Sequence, residues 1–146
     1  MGMLDQSTKL ASAQAVTSTG DTASTNVYDS GSANTSDLSM TGENLYINAV
    51  VDTTATSGGS ATLQAVLQDS ADNSTFADVL IGKEVAVASL TAGTVLLQTT
   101  PPVGMRRYFR IVWRVGTAAL TAGKFTAYVS NTIQRNVARP SGFTVA

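Results

Sequence analysis

The sequence predicts an all-β domain, a jelly roll or β-sandwich of about eight antiparallel strands with little or no helix. Three observations carry that expectation. β-Branched Thr and Val are plentiful, whereas the helix formers Glu and Lys number two and three. Several segments alternate apolar and polar residues with period two. Turn residues separate those segments at intervals of roughly 8–12 residues, the spacing of sandwiches and barrels. A barrel is the alternative closure, and the pattern leaves the strand order open.

The elements follow in chain order. Leu45, Ile47, Ala49 and Val51 share one face, and Asn44, Tyr46, Asn48 and Asp52 mostly share the other. Gly58-Gly59 turns the chain. The next strand sets Leu63, Ala65 and Leu67 against Thr62, Gln64 and Gln68. Asp69 to Ser74 reads as a loop, followed by a short strand around Phe76, Val79 and Leu80. Glu84 to Leu90 and Thr94 to Thr99 are two more candidate strands, parted by Ala92-Gly93, and Pro101-Pro102 ends that stretch.

The clearest strand is Arg106 to Val115. Phe109, Ile111, Trp113 and Val115 form its apolar face, and Arg106, Tyr108, Arg110, Val112 and Arg114 form the opposite one. In the last strand, Lys124 to Ile133, Phe125, Ala127, Val129 and Ile133 face away from Thr126, Tyr128, Ser130 and Thr132. The expected core is therefore Leu45, Ile47, Leu63, Leu67, Phe109, Ile111, Trp113, Phe125 and Val129. Burying each of the larger side chains contributes roughly 1.5–3 kcal/mol.

At 146 residues and 15.0 kDa the chain is one domain's worth of protein. It contains no Cys and no His, so disulfides, thiolate nucleophiles and the usual zinc, iron and copper ligand sets are excluded. The Ser–His–Asp and Cys–His arrangements go with them, because both need an imidazole base. Ser and Thr together fill 36 of the 146 positions, and charged residues make up 13%, half the usual share. No acid/base pair, calcium loop or phosphate loop stands out: Asp69, Asp72 and Asn73 lack the spacing of a calcium loop, and Gly58-Gly59 lacks the Lys of a phosphate loop. The expectation is a protein without catalysis, cofactor or metal.

Net charge is -1, but it is split between the halves. Up to Leu80, Lys9 stands against eight Asp and Glu43, a sum of -8; from Ile81 onward, two Lys and six Arg stand against Glu84, a sum of +7. The charges are spaced singly among apolar residues. They either cancel across neighbouring strands or form two faces for different partners. Arg106, Arg110 and Arg114 form a stripe that is either solvated or a contact surface, with Tyr108 and Tyr128 as candidate contact rings. Arg135 and Arg139 extend the basic set. Nucleic acid is not an expected partner, since the chain is slightly acidic and carries no RNA-binding signature.

The first ten residues have no apolar run of signal-peptide length, and no segment approaches the ~20 apolar residues of a membrane span. The chain is expected to be made in the cytoplasm, not secreted, and not bound to a membrane. No linker divides it: residues 1–146 read as a single domain. Ser18 to Thr25 and Asp29 to Gly42 read as loops, and extended arms are expected at 1–12 and 136–146.

Several motifs then fall into an order. They are Met3-Leu4-Asp5, Ala13-Gln14-Ala15-Val16-Thr17, Gly42-Glu43-Asn44-Leu45-Tyr46-Ile47 and Gly59-Ser60-Ala61-Thr62-Leu63, followed by Arg107-Tyr108-Phe109-Arg110 and Leu120-Thr121-Ala122-Gly123-Lys124-Phe125. Taken together they resemble the Bordetella phage-type capsid cement proteins of tailed bacteriophages, over nearly the whole chain. Asp69 to Thr75 and the tail after Asn136 depart from that pattern. The resemblance implies a jelly-roll cement domain on the outer surface of an icosahedral head, in the virion. It implies the major capsid protein as partner, the clamping of neighbouring capsid subunits, and self-association, most naturally as dimers, with trimers as the other choice. It brings no catalytic or cofactor-binding residue. Another phage head or tail protein, or a carbohydrate-binding β-sandwich on the virion surface, is the alternative.

Overall fold

The computed structural model describes residues 8–31 and 45–131. Ten strands run through them: β1 Lys9–Ala15, β2 Gly20–Ala23, β3 Tyr28–Asp29, β4 Tyr46–Ser57, β5 Thr62–Ser70, β6 Ala77–Ile81, β7 Val85–Ala86, β8 Val95–Thr99, β9 Tyr108–Gly116 and β10 Leu120–Ser130. One sheet has the order β1-β10-β4-β8, and the other β2-β9-β5-β6, with β3 also on β9 and β7 also on β5. Every pairing is antiparallel.

β2 and β3 lie end to end along β9, as β6 and β7 do along β5, so the ten segments act as eight strands. The two sheet orders then match position by position. β1 faces its sequence neighbour β2, β10 faces β9, β4 faces β5, and β8 faces β6 with β7. A long antiparallel ribbon wrapped round a barrel-like core gives this order, which is the jelly roll. The fold class expected from the sequence is the one observed.

The core lies between the sheets. Ile47, Ala49, Val51, Phe125, Ala127 and Val129 enter it from the first sheet, and Leu63, Ala65, Leu67, Phe109, Ile111, Trp113 and Val115 from the second. Large and small side chains alternate: Trp113 is paired with Ala65 and packs on Phe125, ring centroids 5.3 Å apart. Tyr28 stacks on Phe109 at 4.7 Å. Of the expected core residues all are buried except Leu45, which is half-buried against the cluster.

Five expectations need correction. Residues 9–12 are not an arm, because β1 pairs with β10 from Lys9↔Tyr128 onward. Gly20–Ala23, read as a loop, is β2 on the edge of the second sheet. Glu84 to Leu90 is not one strand: only Val85–Ala86 pairs, and a 3-10 turn follows at Val87–Ser89. The chain must cross there from the second sheet to the first, and the turn sends Leu90 into the core. Asp69 and Ser70 belong to β5, so the loop begins at Ala71. The last strand ends at Ser130; Thr132, Ile133 and the expected arm 136–146 lie outside the described residues.

Candidate functional site

The outer face of the second sheet gathers most of the chemistry. Along β9 the outward positions are Tyr108, Arg110, Val112 and Arg114; opposite them on β5 are Ser70, Gln68, Val66 and Gln64. Asp21 on β2 is paired with Arg114, and Asp78 on β6 with Gln68. Period two sets this face, since the intervening residues fill the core.

The polar side chains join into one chain across four strands. Arg114 grips Asp21 with both arms, Nε to Oδ1 at 2.7 Å and Nη2 to Oδ2 at 2.9 Å. Its Nη2 also donates to Asp78 Oδ2 at 3.0 Å. Gln68 Nε2 donates to Asp78 Oδ1 at 2.7 Å, and Arg110 Nε donates to Gln68 Oε1 at 3.0 Å. Running from β9 to β6, the chain meets β5 at Gln68. Val66 and Val112 are fully buried although they point away from the core.

The electrostatics follow from those bonds. Arg114 holds Asp21 below the ordinary carboxylate range. The Gln68 amide does the same for Asp78, with Arg114 adding to it. Two carboxylates in turn push the Arg114 guanidinium up. Asp29 is lowered by Arg107, which binds it at 2.7 and 3.0 Å, and by the Gly31 N–H.

Part of the charge split cancels across strands. Among the described residues, Asp21, Asp29, Asp69 and Asp78 of the first half sit on β2, β3, β5 and β6 and pair with Arg106, Arg107 and Arg114 of the second half, on or beside β9.

The expected Arg stripe is shorter than the sequence pattern suggests. Arg106 precedes β9, so the alternation does not yet govern it. It turns instead to Asp69: its backbone N–H reaches Oδ2 at 2.9 Å, its Nε reaches Oδ1 at 2.9 Å, and Nη2 reaches the Asp69 carbonyl at 3.0 Å. Arg110 and Arg114 do share the outer face. Tyr108 is half-buried there, with the Arg107 guanidinium 5.0 Å from its ring. Tyr128 is in the outward phase of β10 but only 1% exposed, so it is no open contact ring; burial pushes its hydroxyl pKa up. It lies on the outer face of the first sheet beside the fully buried Asn48, which accepts from Gln98 at 3.0 Å and donates to Ser130 at 2.9 Å. Arg135 and Arg139 lie outside the described residues.

Asp21, Asp29, Asp69, Asp78, Gln68 and Phe76 were not expected as partners of the arginines. For the four aspartates the signal was the charge split itself, which needs the strand order before it names partners. The turn after β5 is self-contained: Asp72 Oδ1 accepts the N–H groups of Ser74 and Thr75, each at 2.9 Å, and the Ser70 hydroxyl at 2.8 Å. These bonds lower Asp72 to about 2. Among the described residues no group of three or more acidic side chains could hold a metal ion.

This face offers recognition by hydrogen bonds and packing. A family model, Bbp16, matches residues 10–129. The chain belongs to the Bbp16 family. That span covers the jelly roll from β1 to β10, short of one residue at either end. The name Bbp16 points to a Bordetella phage protein, which agrees with the phage origin that the motifs implied. No curated protein matches the chain.

Proposed function

We propose that this Bbp16 member is a structural protein of a phage virion that binds the outer surface of the icosahedral head and cements neighbouring major capsid subunits. Its membership of the family over residues 10–129 is the observation that carries the reading. Met3-Leu4-Asp5 and Gly42-Glu43-Asn44 lie outside the described residues; the other motif residues that resemble phage capsid cement proteins lie on β1, β4, β5, β9 and β10 and their connections.

The physics suits the role. A protein that binds only the assembled lattice stabilises it by mass action, as any ligand of a native state does. Copies that self-associate, as dimers or trimers, engage two or more capsid subunits at once and gain avidity. A jelly roll with three of its four described arginines tied to aspartates within the fold is a stiff clamp, and little ordering entropy is lost when it docks. The carbohydrate-binding alternative loses its most obvious platform, because the single Trp, Trp113, is fully buried.

The test is co-sedimentation of purified protein with phage heads that lack it, followed by heating of decorated and bare heads. Saturable binding over the whole shell, with a higher temperature of head disruption, is expected. Binding confined to one ring or vertex would mark a head-completion or tail protein instead. No binding to the shell would overturn the proposal.

A further inference from the structure

Three of the four described arginines are already occupied. Arg106 is bound to Asp69, Arg107 to Asp29, and Arg114 to both Asp21 and Asp78. Arg110 is different. Its Nε is held by Gln68 Oε1 at 3.0 Å, and its guanidinium lies 3.8 Å from the centre of the Phe76 ring. Among the described residues it forms no ion pair with a carboxylate, and neither of its Nη groups has a hydrogen-bond partner. No unpartnered side-chain nitrogen or oxygen is buried among the described residues, so these Nη groups face solvent.

We infer that Arg110 is the anchor of a protein-docking face and takes one carboxylate side chain of the partner between its Nη donors. The inference rests on the head-binding reading and narrows it to one residue and one partner chemistry. A guanidinium fork matches a carboxylate with two parallel hydrogen bonds. Stacking on Phe76 and the bond to Gln68 fix the plane of the fork beforehand, so little side-chain entropy remains to be lost on docking. The described lysines, half-buried Lys9 and exposed Lys83 and Lys124, carry charge as well, but as single points on flexible stems.

The surroundings suit a protein partner. Tyr108 is the next outward residue on β9, Phe76 lies under the guanidinium, and Ile81, 54% exposed, flanks the face on β6. Arginine among aromatic and aliphatic side chains is the composition of interface hot spots. A polyanion is a poor fit. Asp21 and Asp78 are both bound by Arg114, so Arg110 is the one guanidinium of this face left for a carboxylate, and two aspartates beside it disfavour a row of phosphates.

The experiment compares wild type, Arg110→Lys, Arg110→Gln and Arg107→Gln for occupancy on heads that lack the protein, at about 150 mM salt. Circular dichroism and sedimentation velocity on each free protein check folding and self-association. Both Arg110 variants, folded and in the wild-type oligomeric state, are expected to bind about tenfold or more weakly. Arg107→Gln, which loses the Asp29 pair and the contact with the Tyr108 ring but not the Arg110 fork, stays within about twofold, as surface pairs do. Wild-type occupancy in Arg110→Gln would overturn the inference and leave the head-binding reading standing. Loss of self-association with unchanged occupancy would also overturn it, by assigning the carboxylate to a second copy. If wild type itself does not bind heads, the functional reading falls and this inference with it.

Discussion

The indole N–H of Trp113 is satisfied by Gln14: Nε1 donates to Oε1 across 3.2 Å. The same amide donates from Nε2 to the carbonyl of Ala23 at 2.9 Å. One side chain on β1 of the first sheet thus ties together β9 and β2 of the second. Gln14 reaches that position through a bulge. Ala11 pairs with Ala127 and Gln14 with Phe125, so three steps on β1 oppose two on β10. Ala13 takes up the extra length at φ 47°, with its N–H bonded to Thr126 Oγ1 at 3.0 Å.

Replacing Gln14 by Ala strands a buried indole donor and cuts the tie between the sheets. A loss of about 1–3 kcal/mol is expected in urea unfolding, the usual effect of leaving a buried polar group unpaired. Trp113 is the only Trp, so its fluorescence reports the same site directly. Unchanged stability and emission in Gln14→Ala would show that the bond contributes nothing.

Two backbone positions should respond in opposite directions to a change of one methyl group. Ala13 occupies the left-handed region, which suits glycine; Ala13→Gly is expected to gain roughly 0.5–1 kcal/mol. Gly82 donates to the Ala65 carbonyl at 2.9 Å, and a Cβ there would lie 2.6 Å from that same oxygen. Gly82→Ala is expected to lose about 1–3 kcal/mol, as overpacked sites do. Thermal unfolding of both variants decides the signs.

How far the fold could be read from the sequence depended on how much bulk each strand carries. β9 and β10 show clean alternation because Phe109, Ile111, Trp113, Phe125 and Val129 mark the buried phase. β1 hides its nature: Leu10 and Ala11 are buried side by side, and the bulge at Ala13 breaks period two before it can be seen. β2 is four small or polar residues on a sheet edge, where pairing with β9 makes the strand and composition does not. At the site, Arg110 and Arg114 were visible from spacing alone. Their partners were not, because Asp21 lies 93 residues from Arg114 and only the jelly-roll order brings them together.

Asp69 anchors the segment that leads into β9. It is buried, and its carboxylate accepts both the backbone N–H and the Nε of Arg106. Asp69→Ala is expected to lose about 1–3 kcal/mol and to speed hydrogen exchange at the Arg106 amide, since both donors lose their acceptor. Asp69→Asn, which keeps an oxygen in place, is expected to lose less. Equal exchange rates at Arg106 in all three proteins would remove Asp69 from this role.

Acid should weaken the outer face of the second sheet in a defined range. Arg114 and Gln68 hold Asp21 and Asp78 below 3.8, and the turn amides hold Asp72 at about 2. The folded chain therefore binds protons at these sites less tightly than the unfolded chain. Their stabilisation is complete above 3.8 and is lost as pH falls through the lower folded values, toward 2. The Asp21–Arg114–Asp78 pairs are partly exposed, at 46, 31 and 33%, so each is worth no more than about 1 kcal/mol and weakens with salt. Urea midpoints followed from neutral pH down to 2 should fall more steeply for wild type than for Asp21→Asn/Asp78→Asn or for Asp72→Asn. Parallel curves would mean that these carboxylates add nothing to the acid sensitivity of the fold, and a variant steeper than wild type would reverse the sign assigned to them.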